Sequence, residues 1–181
     1  MNEGFSLTKS IQFIKRLLNV GLWVGIGAFA IIILIPLVAP QLTLGSGFAF
    51  NGFVLSTPNH TRTLTTIQYL IQIVNFGCGL LCLLLLRGIV SSITPDTPFV
   101  LKNATRIQLI AIILLVQVYL SQGLNYLYVS QMNTAIVDSA LYLKPQFTLL
   151  PDGALLGVCI VLLAKVYRYG CTLQHEHDTT V

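Results

Sequence analysis

Between residues 17 and 39 the chain reads LLNVGLWVGIGAFAIIILIPLVA, an unbroken run without Asp, Glu, Lys or Arg. Crossing a hydrocarbon layer of about 30 Å takes about 20 apolar residues in a helix, so this run is long enough to span. Lipid offers no hydrogen-bond partners to a polypeptide. A spanning segment must therefore satisfy its own backbone, and a helix does so within one segment. The run thus sets the class: an all-α integral membrane protein. Composition agrees, with 55% hydrophobic and 9% charged residues against roughly 25% charged in soluble domains. Ten Lys and Arg and six Asp and Glu are too few for the water-facing surface of a soluble globule, a disordered chain or a secreted disulfide scaffold.

Working outward, three more spans fit. The next charge after the first run is Arg62, and a second apolar stretch at residues 64–86 ends at Arg87. A third follows Arg106 at residues 107–129, with no charge until Asp138. A fourth, at residues 150–169, is marked by Asp152 at its start and by Lys165 and Arg168 in its last turns. Pro151-Asp152 suits a helix N-terminus, because proline lacks the donor a first turn leaves unpaired and the carboxylate faces the positive dipole end. The two basic side chains can snorkel outward. A single four-helix domain is expected, with a short cytoplasmic tail at residues 170–181. The first run exceeds the 7 to 15 residues of a signal-peptide core, and its small-residue site, Ala39, precedes Pro40; an uncleaved first helix is expected.

Basic residues orient the spans. Lys9, Lys15, Arg16, Arg87, Lys102, Arg106, Lys165 and Arg168 fall on one side, Arg62 and Lys144 on the other. Glu3, Asp96, Glu176 and Asp178 share the richer side, which then carries the whole net charge of +4. That side is expected to be cytoplasmic. The sequence so describes a multi-pass membrane protein with both termini inside.

In the first outer loop, Asn51-Gly52 sits between Phe48-Ala49-Phe50 and Phe53-Val54-Leu55. A two-residue primed turn favours Asn-Gly, because both central positions need positive φ, so a small extracytoplasmic β-hairpin is expected. Tyr142, Phe147 and Lys144-Pro145 of the second outer loop either pack on that hairpin or lie at headgroup level. Inside, Pro95-Asp96-Thr97-Pro98 reads as a rigid turn before the third helix.

The absences are informative. Cys78, Cys82, Cys159 and Cys171 all avoid the outer loops, which removes the chemistry of a membrane thiol oxidoreductase. His60, His175 and His177 lie outside the spans, which removes axial haem ligands. His175-Glu176-His177-Asp178 reads as a solvated tail, and no cofactor or metal is expected. Nucleophile, base and oxyanion donor do not cluster, so no enzyme is expected. The spans instead contain amides. Gln68, Gln72 and Asn75 follow i, i+4, i+7 spacing, and Gln117, Ser121 and Asn125 follow i, i+4, i+8. These two stripes form a polar interhelical cluster, either by hydrogen bonds that hold helices together or as a polar outer pocket. Gly21 and Gly25 are a small-xxx-small pair, suited to close contact within the bundle or between copies of a homo-oligomer.

The end of the chain carries Asp152-Gly153, Leu163-Ala164, Val166-Tyr167-Arg168, Gly170, Leu173-Gln174, Glu176, Asp178 and Thr180-Val181, and Thr97-Pro98-Phe99 with Asn103 precede the third helix. With these residues the chain resembles the bacterial membrane family called domain of unknown function 2975. It departs from the family at Lys165, usually acidic, and at Thr179, usually leucine. Members are typically encoded beside a small helix-turn-helix regulator. The resemblance therefore implies a non-enzymatic membrane partner that sequesters or signals to that regulator, without direct nucleic-acid contact. The candidate partner site joins Phe99, Asn103 and Arg106 to Arg168, Leu173, Glu176, Asp178 and Val181, all on the cytoplasmic side. The alternative is a small transporter or channel with a polar outer pocket.

Overall fold

A computed structural model describes residues 3–38, 48–50, 53–55, 62–93, 100–135, 144 and 146–180. The fold is all-helical: α1 (Glu3–Val38), α2 (Arg62–Ser92), α3 (Leu101–Ala135) and α4 (Asp152–Thr180). Each contains a stretch long and apolar enough to cross a membrane, namely Ile11–Leu34, Thr66–Ser92, Leu101–Asn133 and Gly153–Gln174. Between α1 and α2 lie two three-residue segments, Phe48–Phe50 and Phe53–Leu55, in antiparallel register with Phe48 opposite Leu55. The turn residues 51 and 52 lie outside the described residues.

Every helix is longer than the charge-free run within it. A charge limits the part of a helix that lies in hydrocarbon and leaves its backbone hydrogen bonding untouched, and Lys and Arg are themselves good helix formers. At the C-terminus, residues 170–180 continue α4 rather than forming a tail. Nothing in Cys171–Thr180 breaks a helix. Thr172 Oγ1 donates to the carbonyl of Arg168 at 3.3 Å and Thr179 Oγ1 to that of Glu176 at 3.0 Å, so both hydroxyls fold back on the preceding turn. At the other end of α4, the Pro151 carbonyl accepts from Ala154 N at 2.8 Å, which closes the first turn beside Asp152 as expected from the Pro-Asp pair.

The helices stand in a row. Each packs on its neighbour in sequence, and among the described residues non-neighbouring helices share at most a marginal contact. The expected four-helix bundle is therefore an open layer. The physical reason lies in the solvent: lipid tails are as apolar as leucine, so no hydrophobic force closes a row into a bundle. Trp23, Val38 and Val166 stay largely exposed as lipid-facing side chains. Contact between neighbours comes from small residues and one compact cluster. Leu64 of α2 packs with Tyr128 and Met132 of α3, flanked by Ile67, Ile71 and Val129. Along α3 and α4, Ala104, Ala111, Ala154 and Ala164 are buried. A Cβ at Gly157 would lie 2.7 Å from Leu115 Cγ, and one at Gly153 2.6 Å from Val118 Cγ2, so these glycines let the two backbones approach. Gly25 does the same for Leu80 of α2, whereas a Cβ at Gly21 would meet nothing within 4 Å.

Candidate functional site

Polar side chains gather in two places. The first is at mid-height of α2 and α3. Asn75 Oδ1 accepts from Gln117 Nε2 at 2.8 Å and from Ser121 Oγ at 2.7 Å. Spacing of four residues puts Gln117 and Ser121 on one face of α3, and both reach the same oxygen on α2. The two amide stripes thus meet through Asn75. Gln68 Oε1 is buried without a partner among the described residues, Gln72 is exposed, and Asn125 is half-buried.

The second cluster lies where α2 ends and α3 begins. Arg106 Nη1 donates to the Gly88 carbonyl, to Asn103 Oδ1 at 3.2 Å and, more weakly, to Ser92 Oγ at 3.5 Å. Ser92 Oγ also donates to Asn103 Oδ1 at 2.7 Å. Asn103 is wholly buried, and its Nδ2 has no partner among the described residues. A buried unpaired donor costs about 1–3 kcal/mol, so the surrounding contacts must hold this geometry against that cost. The arrangement has two causes. The Gly88 carbonyl lies near the C-terminal end of α2, where it also accepts from Ser91 Oγ at 2.9 Å, and a guanidinium is favoured beside that negative dipole end. Gly88 allows the approach, because a Cβ there would sit 3.0 Å from Arg106 Cζ.

α4 joins this end of the layer through two contacts. Val100 N donates to Tyr167 Oη at 3.2 Å, and Arg168 Nη2 donates to Gln108 Oε1 at 3.3 Å. From the middle turns of α3, Tyr119 Oη and Gln122 Nε2 donate to the carbonyls of Leu149 and Thr148, each at 3.1 Å, and so tie down the chain entering α4. Phe147 is exposed; Tyr142 and Pro145 lie outside the described residues.

Of the candidate partner residues, the fold brings Asn103 and Arg106 together, but they lock α2 to α3 rather than present a surface. The sequence reading treats Asn103 as a contact residue; full burial makes it an internal one. Arg168, Leu173 and Glu176 are exposed on α4. Phe99 and Val181 lie outside the described residues, as does the side chain of Asp178. The sequence reading did not single out Gly88, Gln108 or Tyr167 as site residues. Gly153 and Gly157 have the same spacing as Gly21 and Gly25, and that rule alone was enough to find them.

All of these polar contacts lie within residues 56–181, the part of the chain that matches the family described as Protein of unknown function (DUF2975). No curated protein and no solved structure matches the chain. The match takes in α2, α3 and α4 entire, and the chain belongs to the DUF2975 family of proteins of unknown function.

Proposed function

We propose that this four-span membrane protein binds a cytoplasmic helix-turn-helix regulator at the end of the layer formed by the α2–α3 connection and the end of α4. It sits in a bacterial inner membrane with both termini inside, as the distribution of basic residues favours. The hairpin segments then lie on the outer side. The observation that supports the site is the clamp: Arg106, Asn103 and Ser92 fix α2 to α3, and Tyr167 and Arg168 fix α4 to α3. A clamped platform reduces the ordering cost that binding would otherwise carry. From it, α4 continues to Thr180 as a helix with Leu173 and Glu176 exposed. A helix is a ready recognition element, with Leu173 as an apolar anchor and Glu176, Lys102 and Arg168 at the rim. Exposed ion pairs contribute only about 0 to 1 kcal/mol each, so the apolar anchor and shape must supply most of the selectivity.

The test is capture of the regulator encoded beside the gene, in mild detergent, by the full chain and by a chain ending at Tyr169. Normal membrane insertion with lost capture supports the site. Equal capture by both chains removes α4's last turns from it. The transporter or channel reading has only the amides in its favour, and a flux assay in vesicles discriminates it.

A further inference from the structure

We infer that one face of the layer, formed by α1, α2 and α3 near the α2–α3 connection, holds the headgroup phosphate of an anionic phospholipid among Lys15, Arg106 and Lys102. The argument starts from levels. A Cβ at Gly25 would lie 2.8 Å from Leu80 Cδ2, and one at Gly77 would lie 3.9 Å from Phe29 Cζ, so α1 and α2 run antiparallel with Gly25 beside Leu80. Nine residues from that pair, Arg16 stands level with Ile89. Arg106 bonds to the Gly88 carbonyl, beside Arg87. The contact of Gly157 with Leu115 brings Lys165 level with about Ile107. Each helix thus carries a basic residue within about one turn of the same level, as expected at a lipid–water boundary.

These charges do not all share a face. Lys15 is ten residues before Gly25 and so lies about 80° from it around α1, on the side of the layer where α2 carries Gly88 and Ser92. On α3, Lys102 and Arg106 have i, i+4 spacing and lie about 120–180° from Ala111, Leu115 and Val118, where α4 packs. Lys15, Arg106 and Lys102 therefore meet on the face away from α4, which Arg87 and Lys165 do not join.

That face is rich in donors and poor in acceptors. Lys15 and Arg106 are half-buried and Lys102 is exposed. Arg106 makes its bonds to Gly88, Asn103 and Ser92 through Nη1. Among the described residues its Nε and Nη2 have no partner, and none of the three charges pairs with a carboxylate. Asn103 is 0% exposed, and its Nδ2 is a further unpaired donor in the same cluster. Asn19, the one amide of residues 17–39, stands four residues from Lys15 on the same face and is half-buried. A half-buried guanidinium with an unused Nε–Nη2 edge matches two phosphate oxygens, which such a fork grips together. At a lipid–water boundary the phosphate is that of a phospholipid. A net-negative lipid suits three positive side chains, and basic pockets between membrane helices bind such headgroups; a zwitterionic lipid would bring an ammonium against them. This inference is independent of the regulator reading.

Thermal unfolding of the purified full chain in mild detergent tests it, with added phosphatidylglycerol, phosphatidylcholine of the same acyl chains, or inorganic phosphate. Phosphatidylglycerol should raise the midpoint saturably, and the other two should not. Lys15 and Lys102 lie outside the clamp, so Lys15→Gln with Lys102→Gln should keep the fold while weakening phosphatidylglycerol about fivefold per lysine, the effect of one basic residue near an anionic surface. Arg87→Gln with Lys165→Gln removes the same charge from outside this face and should leave the affinity unchanged. Equal weakening in the two double variants overturns the site and leaves a general attraction between basic helix ends and anionic lipid. Equal stabilisation by phosphatidylcholine, stabilisation by inorganic phosphate alone, or undiminished phosphatidylglycerol binding by the Lys15→Gln, Lys102→Gln chain overturns it as well.

Discussion

The guanidinium of Arg106 donates to the main-chain carbonyl of Gly88, so a charge at the start of α3 closes the end of α2. The same Arg106 Nη1 reaches Asn103 Oδ1, which also accepts from Ser92 Oγ. The link depends on a missing methyl group: a Cβ at position 88 would sit 3.0 Å from Cζ and 3.2 Å from Nε of Arg106.

Gly88→Val is therefore expected to push the guanidinium off the carbonyl and lower stability in detergent by about 1–3 kcal/mol, the cost of overpacking and of a lost charged hydrogen bond. Thermal unfolding checks this. Arg87→Ala is the control, since Arg87 is exposed; a loss as large as at Gly88 would make general basic charge, rather than the lock, the stabilising element.

At Gly157 a Cβ would meet Leu115 Cγ at 2.7 Å and the Ala111 carbonyl oxygen at 3.5 Å, whereas at Gly21 it would meet nothing within 4 Å. Gly157→Leu should cost about 1–3 kcal/mol by forcing α3 and α4 apart. Gly21→Ala should stay within about 0.5 kcal/mol of the parent. Comparable losses at both sites would show that glycine content, not the α3–α4 approach, sets the packing.

Asn75 and Gln117 share a hydrogen bond, so leucine replacements at the two positions should be non-additive. A double-mutant cycle should give a coupling of about 0.6 kcal/mol, the average for interhelical hydrogen bonds in a membrane. Zero coupling would mean that Asn75 holds Ser121 alone.

The amide stripes and the four spans are legible in the sequence for the same reason. Spacing of three and four residues and charge-free length are properties of a single helix, and a single helix is what a sequence specifies locally. What two helices do together is less legible. Asn103 and Arg106 stand beside Lys102 at the start of α3, and their polarity suits a water-facing surface as well as a neighbouring helix end; only the fold turns the first two inward. The row of helices is not legible either, because lipid can cover any apolar face and no stripe needs a second partner. The extent of α4 past Tyr169 was hidden by the polar composition of residues 174–180, which fits a solvated helix and a solvated tail alike.

Reporter fusions at residues 51, 94 and 138 and at the C-terminus should read outside, inside, outside, inside, following the split of basic residues. An outside C-terminus would place the clamp on the far side of the membrane from any cytoplasmic regulator.

Tyr167 gives the sharpest test of whether α4 holds the connection between α2 and α3. Its hydroxyl accepts from the backbone N–H of Val100, one residue before α3 begins, and the carbonyl of Val100 accepts from Asn103 N at 2.8 Å. One residue thus joins the first turn of α3 to the middle of α4. Tyr167→Phe keeps the ring and removes only the hydroxyl, so packing should survive while the half-buried Val100 N–H loses its acceptor. The expected loss is about 1–3 kcal/mol if that donor stays dry, and less if water reaches it. Stability alone does not separate a local from a coupled effect, so the second measurement is limited proteolysis of residues 93–100 in inside-out vesicles. Faster cleavage in Tyr167→Phe, with unchanged cleavage in Tyr119→Phe at the middle of α3, means that α4 restrains the connection. Equal cleavage in all three chains would show that α2 and α3 hold it by themselves, through Ser92, Asn103 and Arg106.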